Sequence, residues 1–424
     1  MSVFSRYSRG VLAGLCAALI VPVSVAAQNV AAPKSLRLSV STFGGYDTDV
    51  THTGTNPETA PSAPHGGAMA TLAYQIRSDK TAFSTLGSAD SRYYFTDDPF
   101  PTSSYFGNAV FASEVTSRLN VSASVNSSYS PQLVFSPLPR PGDVQTDFAP
   151  PTLDYGVTPQ RMVSYAAGGN ASLRVSRRSS LTVTLSDSSQ TLLDDDYESR
   201  SLVYGGGYSY TVSKNTSLRL GYYQQDTDFG YVSMPKRRYA QRTYDVGVNY
   251  SKPLSISRRT TVSFNTGSSA FDDGEKTYYN VTGSAALNHQ FGRTWEANVV
   301  YSRGLGVVAG FAEPGIADSV YANLRGNLSS RFTIMTNAGF ANGNVGLAAV
   351  SSDYLAYQAS TRLEYVVDRE RAGIYANYYY YAYKYDAGTA TVVPIANDVD
   401  RHGVRVGLIF RFPLIRERGP RVTR

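Results

Sequence analysis

Apolar and polar residues alternate along this chain in stretches of roughly ten residues, repeated to its end. Leu181, Val183 and Leu185 share one face of an extended segment, with Thr182, Thr184 and Ser186 on the other. Leu218, Leu220 and Tyr222 oppose Ser217, Arg219 and Gly221. Tyr244, Val246, Val248 and Tyr250 oppose Thr243, Asp245, Gly247 and Asn249. The pattern recurs from Trp295 to Ser302, from Val320 to Leu328 and from Val404 to Phe412. A period of two is strand periodicity, so the expectation is an all-β chain. A soluble sandwich also alternates. Here, however, the polar face carries Arg, Asp, Glu and Asn in mid-strand while the apolar face rarely admits a charge.

The connections also differ in length. Short ones include Ser78-Asp79-Lys80, Arg177-Arg178-Ser179, Ser213-Lys214-Asn215, Gly292-Arg293-Thr294, Ser329-Ser330-Arg331 and Asp368-Arg369-Glu370. Long ones lie near 47–66, 95–104, 131–160, 226–238, 304–318 and 386–400. Short periplasmic turns and long extracellular loops are the asymmetry of transmembrane antiparallel β-barrels. The spacing predicts about eighteen strands (16–18), with nine long and eight short connections and both termini on the periplasmic side. Strands near 81–94 and 105–118 are hardest to place because both faces are mixed. The Pro-rich stretch from Pro131 to Pro159 is the longest loop and cannot serve a central ladder. It folds inward as a constriction or lies over the mouth.

The first 27 residues read as an export signal. Arg6 and Arg9 precede an apolar stretch from Val11 to Val21, and Val25-Ala26-Ala27 offers a cleavage site after Ala27. That stretch is too short for a spanning helix, and nothing later is longer, which excludes a helical membrane protein. The only cysteine, Cys16, lies in this segment behind Leu15, which argues against lipidation. The domain expectation is therefore a signal peptide at 1–27, a barrel at 28–414 and a basic periplasmic tail at 415–424. Removing Arg6 and Arg9 from a formal charge of +6 leaves +4, too diffuse to argue for nucleic acid.

The 33 tyrosines suit such a barrel, because a tyrosine buries its ring and keeps its hydroxyl at the headgroups. Clusters at Tyr93-Tyr94, Tyr222-Tyr223, Tyr278-Tyr279 and Tyr378–Tyr381 stand at strand ends and read as a girdle. Gly205, Gly207 and Gly247 on the polar face would take bulk out of the lumen. By alternation the lumen also receives Arg174, Arg219, Arg325, Arg362 and Arg405, with Asp245, Glu296 and Glu364. An excess of arginine in an aqueous passage favours anions, whereas cross-strand pairing would merely brace the wall.

Catalytic patterns are scarce. His52, His65, His289 and His402 lack metal partners at ligand spacing and read as surface residues. No nucleophile elbow or phosphate loop occurs. Asp194-Asp195-Asp196 is either a divalent-ion loop or, more simply, a solvated one. Lys236-Arg237-Arg238 is either a contact for lipopolysaccharide phosphates or a generic basic tip. The expectation is no enzyme, no metal and no cofactor.

Gly45-Tyr46-Asp47-Thr48-Asp49-Val50 follows the first strand, Leu408-Ile409-Phe410-Arg411-Phe412-Pro413-Leu414 closes the last, and Ser-Arg/Lys-x-Ser/Thr turns repeat between them. In these features the chain resembles the β-barrel porins of bacterial outer membranes, some of which are encoded with exopolysaccharide synthesis and export machinery. The resemblance implies a channel for a polysaccharide or anionic solutes. It makes Phe410 or Phe412 the signal for the barrel assembly machinery, although the basic tail from Arg416 to Arg424 departs from the usual ending. Expected partners are outer-membrane lipids, lipopolysaccharide, that machinery and periplasmic polysaccharide export proteins. A general diffusion porin and a structural or adhesive barrel are the alternatives.

Overall fold

The computed structural model describes residues 34–48, 62–134, 156–158, 160–231, 236–254, 257–272, 277–307, 314–345, 352–368, 371–386 and 398–415. The segment 1–27 read as an export signal, His52, most of the stretch 131–160 and the tail 416–424 lie outside them.

The strands are β1 (Lys34–Asp47), β2 (Ala63–Arg77), β3 (Thr81–Tyr94), β4 (Phe100–Glu114) and β5 (Leu119–Ser130). A small pair, β6 (Leu133–Val134) and β7 (Gly156–Thr158), follows. Then come β8 (Met162–Arg174), β9 (Ser179–Leu192), β10 (Tyr197–Ser213), β11 (Thr216–Tyr231), β12 (Arg237–Leu254) and β13 (Ser257–Asp272). The chain continues with β14 (Thr277–Phe291), β15 (Trp295–Val307), β16 (Pro314–Asn327) and β17 (Phe332–Val345). It ends with β18 (Ser352–Asp368), β19 (Ala372–Tyr385) and β20 (Asp398–Ile415). Setting β6 and β7 aside, eighteen strands form one antiparallel sheet in which each pairs with its chain neighbour, and β1 also pairs with β20. That last pairing closes the barrel and removes both sheet edges.

Several of the short turns share one chemistry. Thr116 Oγ1 accepts from the backbone N–H of Arg118 and Leu119 at 3.2 and 3.0 Å. Ser329 Oγ accepts from Arg331 and Phe332, both at 3.2 Å, and Ser176 Oγ accepts from Arg178 at 3.1 Å. The hydroxyl satisfies donors that the ladder leaves unpaired, which explains the Ser or Thr at the start of these turns. In the β14–β15 turn Gly292 takes φ +62°, a conformation that suits a residue without Cβ.

Two expectations about the connections need correction. The strands run further than the alternation suggested: β11 reaches Tyr231 and β12 restarts at Arg237, while β15 reaches Val307 and β16 restarts at Pro314. On the side with the longer connections, β9 and β10 are separated only by residues 193–196, and β13 and β14 only by 273–276. The polar outward residues above the membrane continue to pair as strand, and a sequence pattern built on apolar residues stops too early there.

Side chains sort cleanly into two faces. Leu181, Val183, Leu185, Leu218, Leu220, Val246, Val404, Val406, Leu408 and Phe410 are all exposed on the outside. From Phe412 to Val404 this apolar face spans eight residue steps of β20, on the order of 25 Å along the strand. Such a belt is stable only against hydrocarbon. Backbone groups in hydrocarbon must be paired internally, and the closed ladder pairs them. The chain is an outer-membrane β-barrel.

Candidate functional site

The lumen has two zones. Towards the extracellular strand ends its side chains are withdrawn from solvent. His65 on β2, Arg92 on β3, Asn126 on β5, Ser164 on β8, Thr227 on β11 and Ala341 on β17 are each at most 2% exposed. On β19 the inward residues Tyr379, Tyr381 and Tyr383 are buried as well. Towards the periplasmic ends the inward Arg37, Arg77, Glu114, Arg174, Glu296 and Arg325 are exposed. The passage therefore opens as a wet vestibule on the periplasmic side and is packed on the extracellular side.

The residues singled out by alternation all fall on the lumenal face, but in different settings. Arg174 and Arg325 stand exposed in the vestibule, and Arg325 lies opposite Glu296 in register without forming an ion pair. Arg219 is braced. It donates to Asp245 Oδ1 at 2.6 Å, to Asn249 Oδ1 at 2.8 Å and to the Thr266 carbonyl at 3.2 Å. Arg362 lies 3.3 Å from Glu364 and stacks 4.1 Å over the Tyr375 ring. Glu364 also receives Arg411, so two guanidinium groups share one carboxylate. Arg405 is buried between the rings of Phe43 and Tyr379, at 5.3 and 5.1 Å. Phe410 and Phe412 point outward near the periplasmic end of β20.

Alternation missed a buried ionic group at the seam where β1, β2 and β3 meet. Asp47 Oδ2 accepts from the Tyr94 hydroxyl at 2.9 Å and lies 3.5 Å from His65 Nδ1 and 4.0 Å from Arg92. Arg92 donates to Asp90 at 2.9 Å. His65 is thus not a surface residue. The signal was present in the inward phase of Asp90, Arg92 and Tyr94, but it was obscured by the mixed faces of β3.

The tyrosine clusters also divide, because neighbours on a strand face opposite ways. Tyr93, Tyr222, Tyr279 and Tyr378 are exposed on the outside as girdle residues, whereas Tyr94, Tyr379 and Tyr381 pack the lumen. Nor do Gly205 and Gly207 leave free space. A Cβ on them would sit 2.6 and 2.8 Å from Tyr223, whose ring fills the room. Among the described residues no group of acids, His or Cys is placed to hold a metal ion. Asp194 instead accepts from Arg161 through its backbone N–H and Nε, each at 2.8 Å, and Asp195 from Gln160. Partial burial pushes the Asp194 carboxyl up, but the hydrogen bonds and charge of Arg161 outweigh it and hold the group below the usual range.

The periplasmic rim is basic. Among the described residues of the short turns stand Lys80, Arg118, Arg177, Arg178, Lys214, Arg293, Arg331 and Arg371, against the acids Asp79 and Asp368. Together with the exposed arginines just inside, they outnumber Asp79, Asp368, Glu114 and Glu296 and give the vestibule an excess of positive charge.

No protein-family model matches the chain, and no curated protein matches it. Solved structures do. OccK2 (OpdF) of Pseudomonas aeruginosa, in complex with glucuronate, aligns at 12% identity over 90% of this chain and 98% of that one, with a TM-score of 0.43. The siderophore receptor PirA of Pseudomonas aeruginosa aligns at 11% identity over 89% and 80%, with a TM-score of 0.43. The copper transporter OprC aligns at 10% identity over 90% and 83%, with a TM-score of 0.44.

Proposed function

We propose that this barrel is a channel that gathers anionic solutes from the periplasmic side. The observation that carries this reading is the basic rim above a wet, arginine-bearing vestibule. A low-dielectric wall focuses the field of such charges into the passage and concentrates counter-ions there. Pairing removes part of the field, since Arg219 is held by Asp245, and Arg362 and Arg411 share Glu364. Among the described residues Arg37, Arg77, Arg174 and Arg325 have no such acidic partner, and they supply the remainder.

The asymmetry of the lumen favours export over uptake. A solute from the periplasm meets an open, charged mouth, whereas one from outside meets packed side chains. An acidic polysaccharide is the cargo we infer within this reading, because a chain of carboxylates would engage the rim at several points. A general diffusion porin is the second reading, favoured by the absence of a specific anion cradle among the described residues. The test is the reversal potential of the purified barrel in a planar bilayer under a salt gradient. Anion preference that falls when Arg174 and Arg325 are both changed to Gln is the expected result. Cation preference, or a reversal potential indifferent to those substitutions, would remove the proposal. Block of the current by a polyuronate added at the periplasmic mouth supports the polymer, and no block by it leaves the small-solute porin.

A further inference from the structure

We propose that three outward-facing arginines above the tyrosine girdle, Arg200, Arg238 and Arg303, are docking points for the phosphates of the outer-leaflet glycolipid. They are far from the lumen, and the inference does not rest on the transport reading. Each occupies the same kind of setting. Arg200 donates from Nε and Nη2 to Asp187 at 3.0 and 2.9 Å, and the Tyr165 hydroxyl donates to the same carboxylate at 3.4 Å. Arg303 donates to Asp318 at 2.6 Å, and the Tyr301 hydroxyl joins it at 2.6 Å. Arg238 lies 3.6 Å from Asp226 and 3.8 Å from Asp228, and the Tyr204 hydroxyl donates to Asp226 at 3.4 Å. A tyrosine, a carboxylate and an arginine thus recur three times around the barrel.

Their height is set by the strands. Outward residues on β9 run Leu181, Val183 and Leu185 before Asp187, and on β16 Leu324, Ala322 and Val320 before Asp318. The groups therefore begin one rung above the hydrocarbon belt, at the end of the barrel opposite the short turns. That is the headgroup level of the outer leaflet, where phosphorylated glycolipid lies. Arg200, Asp228 and Arg238 form one row across three strands, with the two guanidinium-bearing strands on the order of 10 Å apart.

The carboxylates hold the guanidinium groups without covering them. The side chains of Arg200, Arg238 and Arg303 remain 57%, 69% and 42% exposed. A guanidinium has five N–H donors; Arg200 uses two and Arg303 one, whereas Arg238 lies beyond hydrogen-bond distance of its two acids. The remaining donors of Arg200 and Arg303 are left in a plane oriented by those bonds, which is the geometry that engages phosphate oxygens in pairs. Lys236, 2.7 Å from Glu198 on β10, adds a further cation beside the row.

The test uses the purified full-length barrel in detergent and native mass spectrometry, with bisphosphorylated lipid A, its dephosphorylated form and phosphatidylglycerol as probes. The expected result is retention of bisphosphorylated lipid A at least tenfold above both other lipids, a preference lost in the R200Q/R238Q/R303Q variant and partly kept by the corresponding lysine variant. Equal retention of the two lipid A forms by the unaltered protein would overturn the proposal and needs no variant to fold. So would equal retention of phosphatidylglycerol, or an unchanged preference in the folded glutamine variant.

Discussion

At the residue scale the lumen wall is built from rings laid over glycines. A Cβ on Gly403 would stand 2.2 Å from the Tyr379 ring, and one on Gly407 would stand 2.8 Å from Tyr375. Each tyrosine lies flat across the neighbouring strand because its partner in register has no side chain. The ring then covers backbone that the glycine would leave bare. Gly403→Ala forces Tyr379 off its seat and is expected to cost about 1–3 kcal/mol, the usual range for overpacking. Denaturant unfolding of the refolded barrel measures this, and adding Tyr379→Ser to Gly403→Ala should return part of the loss, since the two side chains compete for one space. A second residue-scale expectation concerns charge. Glu364→Gln leaves Arg362 and Arg411 without their shared acid. Anion preference should rise on the order of twofold, because a single charge counts strongly in a focusing passage. An unchanged reversal potential would show that these two arginines lie outside the conducting path.

At the element scale each strand carries two independent messages on alternate residues. On β20 the outward message is Val404, Val406, Leu408, Phe410 and Phe412, and the inward one is Gly403, Arg405, Gly407, Ile409 and Arg411. An arginine is tolerated at 405 because it faces aromatic rings in the lumen. One position along, Val406→Arg would place the same charge in hydrocarbon near mid-belt, at a cost of about 2–4 kcal/mol. The unfolding midpoint should fall accordingly, while Val406→Leu should leave it nearly unchanged. This duality also explains what could be read from sequence. The outward message is apolar and periodic, so the strands, their number and the inward phase of Arg219, Asp245 and Arg405 were legible. The ends of β11 and β15 were not, since beyond the belt the outward positions become Asp226, Asp228 and Arg303 and the apolar marker vanishes. The split of Tyr378 to Tyr381 between girdle and lumen follows from alternation alone. The packing of Tyr379 and Tyr381 does not, because burial in a lumen depends on what lies across it, and no periodicity within one strand records that.

At the scale of the whole molecule the lumen changes character along the membrane normal, and the proposed transport turns on that change. A uniformly open barrel of eighteen strands would leave inward side chains wet at every level. Here Ser164, near the extracellular end of β8, is 2% exposed and hydrogen-bonded to Ser128 at 2.6 Å, whereas Ser172 on the same strand and face is only half-buried. Eight residues separate them, about 27 Å of strand. The described barrel has no cysteine, because the chain's only one is Cys16. Single cysteines at the two positions therefore report each level without interference. A water-soluble, membrane-impermeant thiol reagent applied from the periplasmic side should label Ser172→Cys at least tenfold faster than Ser164→Cys. If an anionic polymer opens the packed level on its way out, adding a polyuronate to that side should accelerate the slow site and leave the fast one unaltered or partly shielded. Equal labelling without polymer would mean that the extracellular half is already open, and the proposed export direction would lose its support. Slow labelling of Ser164→Cys that no polyanion relieves would retain the vestibule and its anion preference, but would assign the opening of the packed zone to something other than the cargo.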